Sequence, residues 1–261
     1  PTAISLVIDP PSPVGAATAS FTITFDEEMA QSAMPTVTFG PSAPFDDNAI
    51  TGDWTAPTTW VGTCAITSST GDGAHTISVS GAEDSTGNAM ATDTTRTFVV
   101  DATLPSSQAL ALPAYEATLT FPISYIYSDG SGSGVANVTL YYRVDGGVWT
   151  CYEVDEPADG TFSFTAPASG DYDFYTIATD LAGNRELPPG VPDASTTVDT
   201  DIPSIISIDQ SPQSPLSVAT VTFTITFSEA MNQSIPLAVT FGLTAPFSTH
   251  TVAGDWVTST V

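Results

Sequence analysis

Ala19-Ser-Phe-Thr-Ile-Thr-Phe25 decides the fold. Phe21, Ile23 and Phe25 alternate with small or polar residues, so an extended chain shows one apolar face and one polar face. The alternation recurs in Thr76-Ile-Ser-Val-Ser80, Val138-Thr-Leu-Tyr-Tyr-Arg-Val144 and Asp171-Tyr-Asp-Phe-Tyr-Thr-Ile177. Thr, Val, Ile and aromatic residues fill these stretches, while Gly, Pro, Asp and Ser punctuate them. We find no convincing amphipathic helix. Short strands divided by turn signals, at about 100 residues per module, describe a β-sandwich.

The decisive stretch occurs twice. Phe21-Thr-Ile-Thr-Phe25 returns as Phe223-Thr-Ile-Thr-Phe227, and the register holds from Pro1 and Pro203 onward. Val37-Thr-Phe-Gly40 recurs as Val239-Thr-Phe-Gly242, and Gly52-Asp-Trp54 as Gly254-Asp-Trp256. The copy breaks off in mid-module at Val261, so the sequence reads as a window on a longer tandem array. Two matched joints, Val100-Asp-Ala-Thr-Leu-Pro105 and Val198-Asp-Thr-Asp-Ile-Pro203, divide it. Proline restricts its own φ and that of its predecessor, so these linkers should be short and stiff. The expected modules are 1–102, 103–201 and a partial 202–261, alternating in type as A-B-A′.

Charge narrows the partners. The chain has 29 acidic residues against 3 basic ones, a net charge of −26, and no lysine. Arg96, Arg143 and Arg185 cannot make the clustered phosphate contacts that nucleic acid needs, and anionic lipid is disfavoured too. Hydrophobic residues make up 41%, enough for buried cores. No run approaches a membrane-spanning length. Cys64 and Cys151 fall in different modules, so we expect free, buried thiols.

Modules one and three carry Phe25-Asp-Glu-Glu-Met29 and Phe227-Ser-Glu-Ala-Met231, and module one also Gly71-Asp-Gly-Ala-His-Thr-Ile-Ser-Val-Ser-Gly-Ala-Glu-Asp-Ser-Thr-Gly-Asn88. On these residues they resemble bacterial Ig-like domains of S-layer and surface proteins. Module two, with Ser128-Asp-Gly-Ser-Gly-Ser-Gly134 and Ala178-Thr-Asp-Leu-Ala-Gly-Asn184, is similar to other bacterial or archaeal extracellular Ig-like domains. The resemblance implies an all-β chain of tandem Ig-like sandwiches set end to end, at the cell surface or outside the cell. It implies a structural role in a filament, sheath, S-layer or adhesin stalk. The alternative is a carbohydrate- or protein-binding accessory module of a secreted adhesin or hydrolase. Expected partners are other copies of the chain, head-to-tail or by strand complementation, and surface glycans.

Ala82-Glu-Asp-Ser-Thr-Gly-Asn88 and Ala178-Thr-Asp-Leu-Ala-Gly-Asn184 share the form Ala-x-Asp-x-x-Gly-Asn. A hairpin turn explains it, with Asp opening the turn and Gly taking positive φ. A metal role is the other reading. In an Ig-like sandwich the loops joining strands B–C and F–G lie where the chain enters, opposite the end of the last strand. Asp101, Asp129 and Asp180, with Asn184, should therefore converge at the first joint, while Asp84 should lie far from Asp101. Asp199, Asp201 and Glu229 are the candidates at the second joint, and Glu27 with Asp84 forms the equivalent half-site at the start of module one. Gathered carboxylates repel unless a cation lies between them, and Ca2+ takes six to eight oxygens.

Catalytic chemistry finds little support. His75 and His250 have no zinc-ligand spacing and no adjacent nucleophile, so we read them as exposed strand or loop residues. We read the chain as non-catalytic. Asn137-Val-Thr139 and Asn232-Gln-Ser234 match the glycosylation acceptor pattern. Trp54, Trp60, Trp149 and Trp256 are assigned to packing, since Trp54 and Trp256 are repeat-equivalent.

Overall fold

A computed structural model describes residues 1–215, 219–246, 248 and 250–260. The chain divides into two compact units, Pro1–Asp199 and Thr200–Val261. It is all-β among the described residues.

The first unit holds two sandwiches with separate cores, one drawn from Ala3–Ala102 and the other from Ala109–Val198. The first sandwich has seven strands: β1 (Ala3–Asp9), β2 (Thr18–Phe25), β3 (Thr36–Gly40), β4 (Asn48–Ala56), β5 (Thr59–Ala65), β6 (Gly73–Ser80) and β7 (Asp93–Val100). Their order is β1-β2-β5-β4-β3-β6-β7. The start of β4 pairs with β3 and the rest with β5, so the ribbon turns through β4 to make two layers. Val14 bridges Val100 in parallel and ties the entering chain to the last strand. As the alternation requires, Ala19, Phe21, Ile23 and Phe25 all face inward. Phe21 and Phe39 both meet Phe98 edge-on there, at 5.6 and 5.1 Å.

The second sandwich contains β8 (Ser106–Ala109), β9 (Tyr115–Glu116), β10 (Thr120–Ser128), β11 (Val135–Val144), β12 (Thr150–Asp155), β13 (Thr161–Thr165), β14 (Gly170–Asp180) and β15 (Ala194–Val198). One layer runs β13-β10-β8 and the other β12-β11-β14-β15-β9. Strand β9 is parallel to β15 and all other pairings in the module are antiparallel. This strand order over about 100 residues is that of an Ig-like sandwich. Phe164 sits at the centre of the core, in ring contact with Phe121, Tyr142, Tyr152, Tyr172 and Phe174.

The second unit repeats the opening of the first, pair for pair. It contains β16 (Ile205–Ser211), β17 (Thr222–Phe227), β18 (Val239–Phe241) and β19 (His250–Val252). Ile205 faces Phe227 as Ala3 faces Phe25, and the same register shift follows in both pairs. Phe241 faces His250 as Phe39 faces Asn48. Trp256 packs on Phe227 at 5.7 Å, as Trp54 packs on Phe25 at 5.3 Å. An open cavity of ≈ 580 Å³ lies between these strands, bordered by Ile225, Phe227, Leu237, Val252 and Trp256.

Two expectations fail. His75 is buried rather than exposed: its Nε2 lies 2.9 Å from the Gly71 carbonyl oxygen, and its ring packs against Phe39 and Phe98. It shares the inward face of β6 with Ile77 and Val79. Cys151 is exposed on β12 and not buried; Cys64 is half-buried, with burial pushing its thiol pKa up, and both are free.

Candidate cation site at the joint between the first two sandwiches

Three aspartates stand at strand ends. Asp101 follows β7, Asp129 follows β10, and Asp180 ends β14. Local sequence sets the pose of each. After Asp129 the glycine-rich loop turns back, so that Gly132 N–H donates to the Asp129 carbonyl (2.8 Å) and Gly134 N–H to Asp129 Oδ2 (2.7 Å). After Asp180 a turn closes when Gly183 N–H donates to the Asp180 carbonyl (3.2 Å) and Asn184 N–H to Asp180 Oδ1 (2.8 Å). Gly183 takes φ 86°, a left-handed conformation that glycine adopts without a Cβ penalty.

The joint brings these ends together. Asp101, Asp129 and Asp180 are 1%, 8% and 2% exposed. Each offers a carboxylate oxygen within 4.8 Å of the other two. Ser133 N–H of the second sandwich donates to Asp101 Oδ2 (2.5 Å), and Asn184 Nδ2 donates to the Asp101 carbonyl (2.7 Å) and to Asp180 Oδ2 (2.7 Å). In return, Ala16 N–H of the first sandwich donates to Asn184 Oδ1 (2.8 Å). The fit is close: a Cβ on Gly15 would come within 2.5 Å of the Ala182 carbonyl oxygen. Asp72 fastens the linker from below, accepting from Ala102 N–H (2.7 Å) and from the Thr103 hydroxyl.

The electrostatics are unbalanced. Pro1 pairs with Glu27, Arg96 with Asp93 and Arg143 with Asp173, so none of these three cations is spent on this joint. At an effective dielectric near 20, two unit charges about 4.8 Å apart repel by ~3 kcal/mol, and there are three such pairs. Burial raises the Asp129 carboxyl above its usual range against the opposing pull of the Gly134 N–H; the charges of Asp101, Asp180 and Asp72 push it further up. Asp129 Oδ1 is buried and has no hydrogen-bond partner.

The other candidates behave differently. Asp84 makes the same turn as Asp180, with Asn88 N–H and Nδ2 donating to its two oxygens (2.8 and 2.6 Å) and Thr86 adding two more bonds. Those bonds, Asn88's side chain first, hold Asp84 well below the usual carboxylate range. Strands β6 and β7, of 8 residues each, separate it from Asp101, on the order of 25 Å. Glu27 pairs with the Pro1 amine (3.0 Å), and among the described residues no cluster of three possible ligands includes Glu27 or Asp84. Asp199 N–H donates to the Glu116 carbonyl at the close of the first unit, and Asp201 and Glu229 belong to the second. Asn184 spends its side chain on clasping the joint rather than on facing a ligand.

Sequence reading missed Asp72, Gly15, Gly132 and Ser133. Asp72 was visible as an acid one residue before β6, but the partnership of Gly15 with Ala182 leaves no sequence signal. The acceptor sites differ from each other: Asn137 is half-buried in β11 beside a buried Thr139, whereas Asn232 is exposed and its Oδ1 accepts from Ser234 N–H (3.0 Å). Trp60 is buried, and Trp149 meets Tyr175 edge-on at 4.4 Å beneath Arg143, 4.7 Å from the ring.

No protein-family model matches the chain, and no curated protein sequence matches it. Solved structures do. The titin A168–A170 domains align over 71% of this chain and 60% of their own length, at 11% identity and TM-score 0.44. A marsupial T cell receptor aligns over 87% of this chain and 82% of its own, at 10% identity and TM-score 0.46. A tetra-tandem repeat from the extending region of a large adhesion protein covers 85% of this chain, which spans 55% of that one, at 21% identity and TM-score 0.31. No helix among the described residues is long and apolar enough to cross a membrane.

Proposed function

We propose that the chain is part of an extracellular structural repeat protein, the body of a surface filament, sheath, S-layer or adhesin stalk, in which Ig-like sandwiches bear load. The observation that carries this reading is the joint between the first two sandwiches. Its bonds run in both directions across the boundary, from Ser133 and Asn184 to Asp101 and from Ala16 to Asn184, so a pull on one module passes to the next. The register-true repeat of the opening strands supports an array, because repeated units add length without adding a singular site. In this reading the acidic joints are stiffened by calcium, the chain is non-catalytic, and its partners are other copies of itself.

Single-molecule pulling on the 261-residue chain tests the proposal. Each complete sandwich should rupture as a discrete event, releasing about 340 Å of chain at ~3.5 Å per residue. Extension at low force without discrete events would refute a load-bearing role.

A second reading, the accessory binding module, draws on one surface. Tyr141 stacks on Tyr175 at 4.9 Å, Trp149 closes the row with Arg143 above it, and Arg185 donates to the Tyr141 hydroxyl (2.7 Å). The half-buried Tyr141 and Trp149 lie over the buried Tyr175, and Arg143 is already paired with Asp173, so the strip offers aromatic edges to a sugar ring rather than a free positive charge. Binding on a glycan array that is lost in Trp149→Ala would favour it.

A further inference from the structure

We infer that Asp101, Asp129 and Asp180 hold one calcium ion, which bridges the first two sandwiches. This rests on the reading of the joint given above and names the ion, its ligands and the groups that only position them.

Three independent observations converge. The carboxylates come from both sides of the boundary, all are more than nine-tenths buried, and their oxygens lie within 4.8 Å of one another. Backbone and side-chain N–H groups hold them from outside: Ser133 on Asp101, Gly134 on Asp129 and Asn184 on Asp180. Such donors fix the orientation of each carboxylate. Second, Asp129 Oδ1 has no donor at all, and the charges acting on this carboxylate are negative. A buried carboxylate oxygen with neither donor nor counter-charge is the ligand atom a cation would use. Third, only a residue without a side chain fits against the oxygens. A Cβ at Gly132 would come within 2.5 Å of Asp129 Oδ2 and 2.9 Å of Asp101 Oδ2. Glycine at this position keeps the approach to two of the three carboxylates clear.

The donor set selects the ion. Every ligand is a carboxylate oxygen, without histidine or cysteine, so zinc and copper are disfavoured against hard cations. Magnesium demands near-ideal octahedral geometry and releases water reluctantly, whereas calcium accepts six to eight oxygens in flexible arrangements, with water completing the shell. Three carboxylates placed by three separate strand ends suit calcium. Asp101, Asp129 and Asp180 are its ligands; Asn184, Ser133 and Gly134 are positioning groups.

The test is calorimetric titration of the chelator-treated 261-residue chain with calcium chloride and with magnesium chloride, paired with melting curves. We expect one tight calcium event per chain, weaker magnesium binding and a higher melting temperature with calcium. Asp129→Asn should lower calcium affinity by at least the ~10–100-fold that loss of an outer-shell partner costs at metal sites. Without calcium the same variant should melt above the parent chain, because one of three repelling charges is gone. Gly132→Ala, which keeps all three carboxylates in the sequence but presses a methyl against those of Asp129 and Asp101, should weaken calcium, and Asp84→Asn should leave calcium affinity unchanged. Weak binding to scattered surface acids only, or an Asp129→Asn variant that binds calcium as the parent does, overturns the inference. Either result leaves the load-bearing reading standing, because pulling experiments test that separately. Tight calcium binding without any gain in rupture force would instead refute calcium stiffening while keeping the site.

Discussion

Asn184→Ala and Asn88→Ala remove the same side chain from the same turn in two settings. In the first sandwich Asn88 is exposed, and its Nδ2 reaches only Asp84 Oδ2 and Thr86 Oγ1, both within its own loop. In the second, Asn184 is 5% exposed and keeps the matching bond to Asp180 Oδ2, but adds two bonds that cross the joint, to the Asp101 carbonyl and from Ala16 N–H. Each ordinary hydrogen bond contributes about 1 kcal/mol net, so Asn184→Ala, which loses three bonds against two, should cost ~1 kcal/mol more in total than Asn88→Ala. Two of its three lost bonds, ~2 kcal/mol, cross the joint, whereas none of those lost in Asn88→Ala does. Hydrogen exchange reads it through the Ser133 amide, whose bond to Asp101 Oδ2 crosses the boundary and keeps both partners in either variant. Asn184→Ala should reduce its protection about thirtyfold, the equivalent of ~2 kcal/mol. Asn88→Ala should leave it unchanged. Equal loss of Ser133 protection in both variants, or no loss in Asn184→Ala, would show that the clasp does not hold the joint.

Further outcomes follow from the same geometry. Gly15→Ala sets a methyl against the Ala182 carbonyl and should cost ~1–3 kcal/mol by chemical denaturation, with the loss again concentrated at the Ser133 amide. Phe164→Ala, at the centre of the second core and fully buried, should cost about 3–5 kcal/mol. Asp84 has its carboxyl pKa lowered on folding, so the ionised form contributes stability that is fully present above the ordinary aspartate value of about 4. Asp84→Asn should therefore be less stable than the parent chain at pH 7. The gap should narrow as the pH falls below about 4 towards the depressed folded value, measured by urea unfolding across that range. A gap that is constant with pH would deny the turn's charge dependence.

The strands were legible because a sheet reads out period two directly. Phe21, Ile23 and Phe25 alternate in sequence and all point into the core. The same rule carried a signal for His75 that the reading as an exposed residue passed over: it shares the face of Ile77 and Val79, and alternation alone places it inward. The joint was partly legible. Strand ends assign Asp101, Asp129 and Asp180 to one pole once the strand order is known, and the structure gathers them there. The roles within the joint were not, because identical motifs differ only in what covers them. Asn88 and Asn184 close the same turn, yet one faces solvent and the other a neighbouring backbone.

By itself the sequence determined strand faces, the repeat register and the turn chemistry, all of which depend on residues close in the chain or on a fixed offset. Only tertiary structure decided that Asn184 is a clasp, that Gly15 and Gly132 must lack a side chain, and that Asp129 retains an oxygen without a donor. These properties arise from distances between segments remote in sequence. A hydrogen bond or a charge repulsion depends on those distances to fractions of an ångström, and no local pattern encodes them.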